Sequence, residues 1–593
     1  MGNWMIKQVP GRFVVIGLLL LAVWFCWLLH EKPVRGCDDA NIFFSYAENL
    51  AQGNGLTYGH NPERVEGFTS MLWTLLCAAS FRAGLGEAGI WALALSLFVG
   101  TQFLYLAMIR RFMDGADGPP GGKEGVQFTS WVPAALFLAL VLSSPSYVTW
   151  TTITLMDTGL WGGCIAWMAF IAIWPPVGRR SLYAALAPFI LSPFVRPESM
   201  VVAPGFIMIG WLRARGGSVS KTETSPATRF VVSTGLVTAV SWGALTAFRL
   251  VYFGFPLPNT YYAKVSPSLL YNLRQGREYL QQYACSGTIA GLGILVVAIA
   301  VTLWLVNVIR AGAFRRGWFT GLSNKVDAVD AVALSAALLL VTPVLAGGDY
   351  FVMFRFFQPA YPLICLLIVL TGWRFVASGH GSGSLPSQGL GWWSGLRAGA
   401  VALIVGYWGI AYAWDLSWSS MRWGSPLTPD FTLVTEGMRK GRLLGAWFGD
   451  MPQYPVVGVI AAGGPARTFP GRIVDTMGLN TREFAMARDD REGIRSHTAF
   501  NKRIFYTIEP DILLAEPPYK SGVENFDTTV LKRIFYDPAF TEHWRFGVLA
   551  RQGYPGGSVR AFFRDRLLDS LALTGTFIFV DEKVWDGKAW VLP

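Results

Sequence analysis

Charged residues are scarce in this chain of 593 residues. Asp, Glu, Lys and Arg together make up 15% of it, whereas soluble proteins carry about 25%. Hydrophobic residues account for 52%, and long apolar stretches hold almost no charge. The composition therefore excludes a soluble enzyme with an ordinary core. The 25 Trp residues fit this conclusion, because aromatic rings collect at the interfaces between membrane and water.

Cysteine and histidine are also few, with six and five residues, and no spacing between them matches a zinc site. There is no internal repeat, and polar residues are missing from the middle of the apolar stretches. A transporter built from two related halves would show both features. These absences disfavour a lipid or solute transporter, which is kept as an alternative.

The net charge is +11, and its distribution is informative. Lys and Arg gather in the loops that flank apolar stretches, which is the positive-inside pattern of membrane proteins. The excess charge therefore indicates a protein surrounded by membrane lipids, and we expect no nucleic-acid partner.

A helix needs about 20 apolar residues to cross a bilayer, and the sequence predicts about 11 spans. They lie near 11–29, 87–109, 131–147, 158–174, 181–193, 199–212, 229–252, 286–309, 329–346, 357–372 and 396–414. No signal-peptide cleavage site follows the first span, which is therefore predicted to be an uncleaved anchor. Lys7 and Arg12 place the N-terminus on the cytoplasmic side.

One further apolar stretch, 67–83, is ambiguous. If it crossed the membrane, four basic clusters would fall on the outside, against the positive-inside rule. These clusters lie at 110–111, 179–180, 213–229 and 310–316. We therefore predict that 67–83 is an interfacial or re-entrant helix within a large first periplasmic loop, residues 30–86. The C-terminus then lies outside.

Hydrophobicity drops after about residue 415. The segments "YPVVGVIAAGG", "PDILLAE" and "GTFIFVDE" are typical of strands, and "LVTEGMRKGRLLGAWF" is typical of an amphipathic helix. We therefore predict a polytopic α-helical membrane module, 1–414, followed by a periplasmic α/β domain, 415–593. Gly/Pro/Ser-rich stretches at 114–128 and 378–389 are predicted to be cytoplasmic linkers.

Asp38 and Asp39 follow the first span directly, where acids are costly unless they have a role. The next residues, "ANIFFSYAENL", are typical of an amphipathic helix lying on the membrane, which would hold the pair at headgroup level. A carboxylate there suits a general base for an acceptor hydroxyl; solvation of a loop is the alternative. Glu66 and Asp157 fall on the same side, although Asp157 could instead be a helix N-terminal charge.

Three basic residues lie on the same predicted side: Arg196 in "FVRPES", Lys264 in "PLPNTYYAKVSP" and Arg355 in "GGDYFVMFRF". A buried cation needs an anionic partner, and a lipid-linked phosphate would provide one. The alternative is internal ion pairing, of Arg196 with Glu198 and of Arg355 with Asp349. Phosphate binding and internal ion pairing are compatible if the acids orient the Arg side chains.

These segments together resemble a known family. "DDANIFFSYAENLAQGNGLTY" followed by "ERVEGFTSMLW" is similar to the first-loop signature of the terminal β-1,2-arabinofuranosyltransferases of mycobacteria and their bacterial relatives. Later motifs keep the family's order, with an acid after the third span, then RPE, PNTYYAK, GGDxxxxFRF and "DTMGLNT". The resemblance covers most of the membrane part and, more weakly, the tail to about residue 515.

The resemblance implies an enzyme of the glycosyltransferase C (GT-C) superfamily with a donor of the decaprenyl-phospho-arabinofuranose type. It implies that Asp38 or Asp39 is the catalytic base, with Asp38 favoured, and that Arg196, Lys264 and Arg355 bind the donor phosphate. Supporting acids and substrate contacts follow in the same way. The acids are Glu66, Asp157 and Asp349, and the contacts are Tyr46, Asn259, Tyr262 and His497.

Several positions depart from the family pattern. Asp157 stands where relatives have Glu, and Ser496 replaces a Gly beside His497. Asn41 and Phe44 replace the usual Phe and Tyr, which leaves the acceptor open. The rings of "PNTYYAK" stack on a sugar or only mark the membrane interface.

We therefore expect an inverting transferase of the bacterial inner membrane, with its site in the periplasm. It would move a sugar, D-arabinofuranose by resemblance, from a polyprenyl monophosphate to a glycan, lipopolysaccharide or pilin. Fixed cations would stabilise the leaving phosphate, so no metal or other cofactor is expected, although the acids could hold a divalent cation. An oligosaccharyltransferase is the alternative; its WWD-type motif is represented only by "WWSG" at Trp392.

Overall fold

The computed structural model describes most of the chain. The described residues are 34–114, 131–377 and 428–592, apart from 143, 177, 216–225, 287, 311–325, 492, 519–522 and 555–556, with a few positions between 16 and 24. The predicted spans at 11–29 and 396–414 lie wholly or largely outside these residues. The same holds for the predicted linkers at 114–128 and 378–389.

Helices make up most of the part before residue 378, as the apolar runs predict. They are α1 Asp38–Gln52, α2 Met71–Arg82, α3 Gly86–Asp114, α4 Trp131–Leu142, α5 Pro145–Val148, α6 Thr158–Ile173, α7 Arg179–Ala185, α8 Ala187–Val195, α9 Ser199–Arg215, α10 Pro226–Tyr252, α11 Asn259–Lys264, α12 Leu269–Cys285, α13 Thr288–Arg310, α14 Ala328–Ala346 and α15 Tyr361–Ala377. A π-helical turn, Thr149–Ile153, continues α5, and a 3₁₀ turn, Arg355–Phe357, precedes α15.

Among the described residues, four helices are long and apolar enough to cross a membrane. They are Gly86–Asp114, Pro226–Tyr252, Ala290–Arg310 and Ala328–Ala346. Val132–Leu142 and Pro145–Ile153, bent by 76° at their junction, add a fifth if the pair counts as one span. The described part of the chain is therefore a helical bundle of membrane-protein type. The predicted count of about 11 spans is not confirmed by these helices and stays a prediction.

The helix predicted at 67–83 is α2, and it is short. Its 12 residues rise about 18 Å at about 1.5 Å per residue, well under the roughly 30 Å of a bilayer's hydrocarbon core. Ser70 caps its N-terminus by accepting a hydrogen bond from the backbone N–H of Trp73. The length agrees with an interfacial helix better than with a span.

α1 was expected to lie on the membrane surface, and here the structure corrects the prediction. Ten of its 15 residues are buried, including Ile42, Phe43 and Phe44. α2 packs along it, and the C-terminal domain covers it from another side. The apolar residues that suggested a membrane-facing helix are instead buried between protein layers.

The C-terminal domain begins with the helix α16, Thr428–Phe448, and contains one sheet of seven strands. The strands are β1 Val457–Val459, β2 Ile473–Asp475, β3 Ile512–Leu514, β4 Trp544–Arg551, β5 Val559–Arg564, β6 Phe577–Trp585 and β7 Trp590–Val591. Their order is β2-β1-β3-β5-β4-β6-β7; β1 pairs in parallel with β2 and β3, and the other pairs are antiparallel. The three predicted strands, now β1, β3 and β6, and the predicted helix are confirmed.

The C-terminal domain shares a hydrophobic core with the first loop. One cluster of buried residues runs from Phe44 and Trp73 to Trp447 and Ile473. Hydrogen bonds reinforce the contact: the Asn61 side chain donates to Ile473 O (2.7 Å) and accepts from Ile473 N (2.9 Å). The first loop is therefore a packed layer between the bundle and the sheet.

The short length of α2 predicts which side of the membrane its C-terminal end faces. Leu85, in the turn after α2, is 61% exposed. Cys285 is the exposed cysteine among the described residues. In a Cys285→Ser background, Leu85→Cys should react with a membrane-impermeant maleimide in intact spheroplasts. Labelling that needs permeabilised membranes would mean that α2 crosses the bilayer.

Candidate active site

Three cations and three acids from distant parts of the chain meet beside the start of α1. Asp39 Oδ2 lies 3.6 Å from Lys264 Nζ, at the end of α11, and 3.3 Å from Arg355 in the turn before α15. Arg355 also pairs with Asp349 at 2.8 Å. Most of this network is buried, and Asp39 keeps 14% of its side chain exposed. The two ion pairs of Asp39 thus join residues more than 200 positions apart.

Local backbone conformations aim these side chains. Met353 and Phe354 have φ of 62° and 51°, so the chain reverses sharply just before Arg355. Leu155 has φ of 57°, two residues before Asp157, and its carbonyl accepts a hydrogen bond from Trp73 Nε1 (3.1 Å). Such left-handed conformations cost about 1–3 kcal/mol each and are concentrated at functional sites.

The second part of the network contains Arg196 and Asp157. Arg196 lies 3.5 Å from Asp157 and 3.3 Å from Glu198. The guanidinium groups of Arg196 and Arg355 lie 5.2 and 5.1 Å from the centre of the same ring, that of Phe356. The backbone N–H of Cys37 donates to Thr154 O (3.2 Å), which ties the start of α1 to the turn before Asp157. Both parts of the network therefore belong to one site.

A narrow cleft opens between Arg196 and Arg355. Its other walls are mainly apolar and include Trp161 of α6, Val202 of α9 and Leu339 of α14. The cleft is small, about 30 Å³, and Glu198 lines it beside the two guanidinium groups. Guanidinium groups are suitable donors for an anion such as a phosphate.

The internal ion pairs considered as alternatives are also present. Arg196 contacts Glu198, and Arg355 contacts Asp349. They do not use all the hydrogen-bonding capacity of the site, because Arg355 Nε and Asp157 Oδ2 are buried without a hydrogen-bond partner among the described residues. Buried unsatisfied polar atoms are costly, so the site keeps one donor, Arg355 Nε, and one acceptor, Asp157 Oδ2, for a ligand.

Asp38 and Asp39 lie in different environments although they are neighbours. Burial raises the pKa of Asp38 to about 7, and hydrogen bonds from the backbone N–H groups of Gly463 and Gly464 oppose that shift. Burial would raise the pKa of Asp39 too, but the charges of Lys264 and Arg355 outweigh it and lower the pKa below its ordinary value. At neutral pH Asp39 is therefore a fixed anion, whereas Asp38 exchanges a proton readily.

His497 lies beside the network. Its ring meets that of Tyr350 edge to face, with centroids 4.0 Å apart, and Nδ1 is 3.2 Å from Arg495 O. Burial, together with the charge of nearby Lys264, lowers the pKa of His497 to about 4. The imidazole is thus neutral at pH 7.

Several other residues that the sequence suggested for the site form contacts within the protein instead of facing the ion network. Glu66 forms a buried pair with Arg249, at 2.8 Å. The Tyr46 hydroxyl donates to Val65 O (2.7 Å), and the Asn259 amide donates to Gly478 O and Leu479 O (2.8 and 2.9 Å). These contacts hold the first loop, α10 and the C-terminal domain together around the site.

Tyr262 is partly buried in a group of aromatic rings. Its ring lies 6.0 Å from that of Phe255 and 5.6 Å from that of Tyr261. Tyr262 lies two residues before Lys264 in α11 and is partly exposed.

Sequence reasoning missed three features of the site. Arg249 had a usable signal, because a lone cation in the last turn of an apolar helix needs a partner. Asp430 of α16 had none; burial and the charge of Asp39 raise its pKa to about 6. The third feature is the Gly463–Gly464 contact with Asp38, whose donors are backbone groups. No group of three or more potential metal ligands occurs among the described residues.

The comparisons with known proteins give similarity of structure only. No family model matches the sequence, and no curated protein matches it. ArnT from Cupriavidus metallidurans, solved with undecaprenyl phosphate, has a TM-score of 0.49 at 11% identity, covering 92% of this chain and 97% of that one.

Two further solved structures are similar. An Archaeoglobus fulgidus oligosaccharyltransferase tethered to an acceptor peptide has a TM-score of 0.47 at 11% identity, covering 92% of this chain and 74% of that one. AglB from the same organism, with an inhibitory peptide and a dolichol-phosphate, has a TM-score of 0.44 at 10% identity, covering 94% and 75%. Because no TM-score reaches 0.5, the function is inferred below from the residues of the site.

The Glu66–Arg249 pair predicts a large stability effect. Arg249→Met should destabilise the protein by about 3–5 kcal/mol, because it leaves a buried carboxylate unpaired. Glu66→Gln combined with Arg249→Met should recover much of that loss. Thermal unfolding of the purified protein in detergent measures both. Equal losses in the single and double variants would show that the pair is not energetically coupled.

Proposed function

We propose that this protein is an inverting glycosyltransferase that takes a sugar from a polyprenyl monophosphate and transfers it to an acceptor hydroxyl. The observation that carries the proposal is the convergence of Lys264 and Arg355 on Asp39, with Arg196 on the same Phe356 ring as Arg355, next to two carboxylates of different basicity. The motif resemblance supports D-arabinofuranose as the sugar. It also supports the outer face of a bacterial inner membrane as the location.

Asp38 is the general base in this mechanism. It takes the proton of the acceptor hydroxyl, whose oxygen attacks the anomeric carbon from the side opposite the phosphate. The bond from that carbon to the phosphate oxygen breaks, and polyprenyl phosphate leaves with the electron pair. A base whose pKa lies near 7 suits this role at neutral pH. The proton passes to water when the product leaves.

Asp39 is a positioning residue. It holds Lys264 and Arg355 at 3.6 and 3.3 Å, where they neutralise charge that develops on the leaving phosphate. Asp349 and Asp157 orient Arg355 and Arg196 in the same way. Neutral His497 is available to hydrogen-bond a sugar hydroxyl. Three fixed cations can stabilise a monophosphate leaving group without a metal, so we propose no cofactor.

Substitutions of Asp38 and Asp39 should change different kinetic constants. Asp38→Asn should lower the apparent kcat by about 10²–10⁴-fold and leave the donor KM nearly unchanged. Asp39→Asn should change the donor KM as well, because Lys264 and Arg355 lose a common anchor. The measurement is incorporation of labelled sugar from a synthetic polyprenyl-phospho-arabinofuranose into washed membranes that contain each variant.

Asp569→Asn, on the exposed face of the C-terminal helix Asp565–Ala572, is the matched control and should behave as wild type. Wild-type transfer by Asp38→Asn would remove the proposed base. Absence of transfer by the wild type with this donor, but transfer from another polyprenyl-phospho-sugar, would correct the sugar and keep the reaction.

A further inference from the structure

We propose that the Gly463–Gly464 turn of the C-terminal domain is a positioning element for the catalytic carboxylate, so that this domain completes the active site. The inference rests on the proposed function and assigns a role in it to the C-terminal domain. The contact joins positions 425 residues apart in the chain.

The contact consists of backbone donors aimed at one carboxylate. The N–H of Gly463 donates to both oxygens of Asp38, at 3.0 and 3.1 Å, and the N–H of Gly464 donates to Oδ1 at 3.2 Å. Asp38 is 8% exposed, so these bonds select its side-chain conformation. A carboxylate has about four lone-pair positions. A position that the two N–H groups leave open can take the proton of the sugar acceptor's hydroxyl.

Both glycines are required by close packing and not by backbone conformation, since neither has a positive φ. A Cβ at Gly463 would lie 2.0 Å from the carbonyl oxygen of Asp38 and 2.8 Å from Asn41 Cβ. A Cβ at Gly464 would lie 2.6 Å from Val434 O in α16. The turn can therefore reach Asp38 only because neither position carries a Cβ, so that α1 and α16 pack directly against the two glycines.

Arg467 fastens the turn to α1. Its guanidinium pairs with Glu48 and, at 2.6 Å, with Glu87, and it donates to Asn41 Oδ1 at 2.9 Å. The same group lies 5.6 Å from the centre of the Phe44 ring. Asn41 and Phe44, two positions where α1 departs from the family pattern, both contact this one arginine.

Loss of the hydrogen bonds from the turn would raise the pKa of Asp38, the proposed base. Burial raises the pKa of Asp38, and the two N–H groups oppose that rise. Without them the pKa rises further, and a larger fraction of Asp38 is protonated at neutral pH. Because only the carboxylate form accepts a proton, the rate of transfer should rise with pH in the wild type with a midpoint near 7, and at higher pH when the turn is displaced.

The experiment compares wild type, Gly463→Ala and Arg467→Lys, as full-length proteins in membranes, with the labelled arabinofuranose donor between pH 5 and 9. Losing a hydrogen bond to a charged group should move the midpoint up by about 1–2 pH units in Gly463→Ala and by less in Arg467→Lys, which keeps the charge but not the planar fork. At pH 7 the apparent kcat of Gly463→Ala should fall about 5- to 50-fold, with the donor KM little changed.

Gly243→Ala is the matched control, because a Cβ there meets no atom within 4 Å, and it should keep the wild-type pH profile. If thermal melting shows that Gly463→Ala does not fold, the shift in Arg467→Lys decides the question. A folded variant with the wild-type midpoint and kcat would overturn the inference. That outcome is distinct from failure of the proposed function, in which the wild type transfers no sugar or Asp38→Asn remains fully active.

Discussion

The carboxylate of Asp39 lies between Lys264 and Arg355, and the rest of the candidate site depends on that pairing. A buried cation without a counter-ion is strongly destabilising, so these two cations stay in place only because Asp39 and Asp349 face them. The ion pairs bring α1, α11 and the turn before α15 to one point. Lys264 and Arg355 lie 3.6 and 3.3 Å from Asp39, so both can turn toward a phosphate while Asp349 keeps its 2.8 Å contact with Arg355.

The start of α1 serves two partners at once. Asp39 points to the cations of the helical bundle, and Asp38 points to the backbone of the C-terminal domain. Neighbouring carboxylates in such different surroundings acquire different basicities, which is a common way to divide roles between a fixed charge and a proton acceptor. The shared hydrophobic core between the first loop and the sheet keeps α1 from moving relative to either side.

The sequence allowed much of this arrangement to be predicted. Charged residues at the ends of apolar helices are costly unless they are paired or functional, which identified Asp39, Arg196, Lys264 and Arg355. Short apolar runs between polar stretches predicted three strands of the sheet. The partners of Asp38 could not be identified, because backbone N–H groups carry no side-chain signature. The burial of α1 was missed for a related reason, since an apolar helix face looks the same whether lipid or another domain covers it. The span count is unsettled because several apolar helices are shorter than a bilayer.

The most direct test of the account is an experimental structure with a short-chain polyprenyl monophosphate. We expect the phosphate within about 4 Å of Lys264 and Arg355, the usual limit of an ion pair, with Arg196 close by. A phosphate bound at the opposite end of α9, beside Arg213 and Arg215, with the Asp39 ion pairs unchanged, would contradict it.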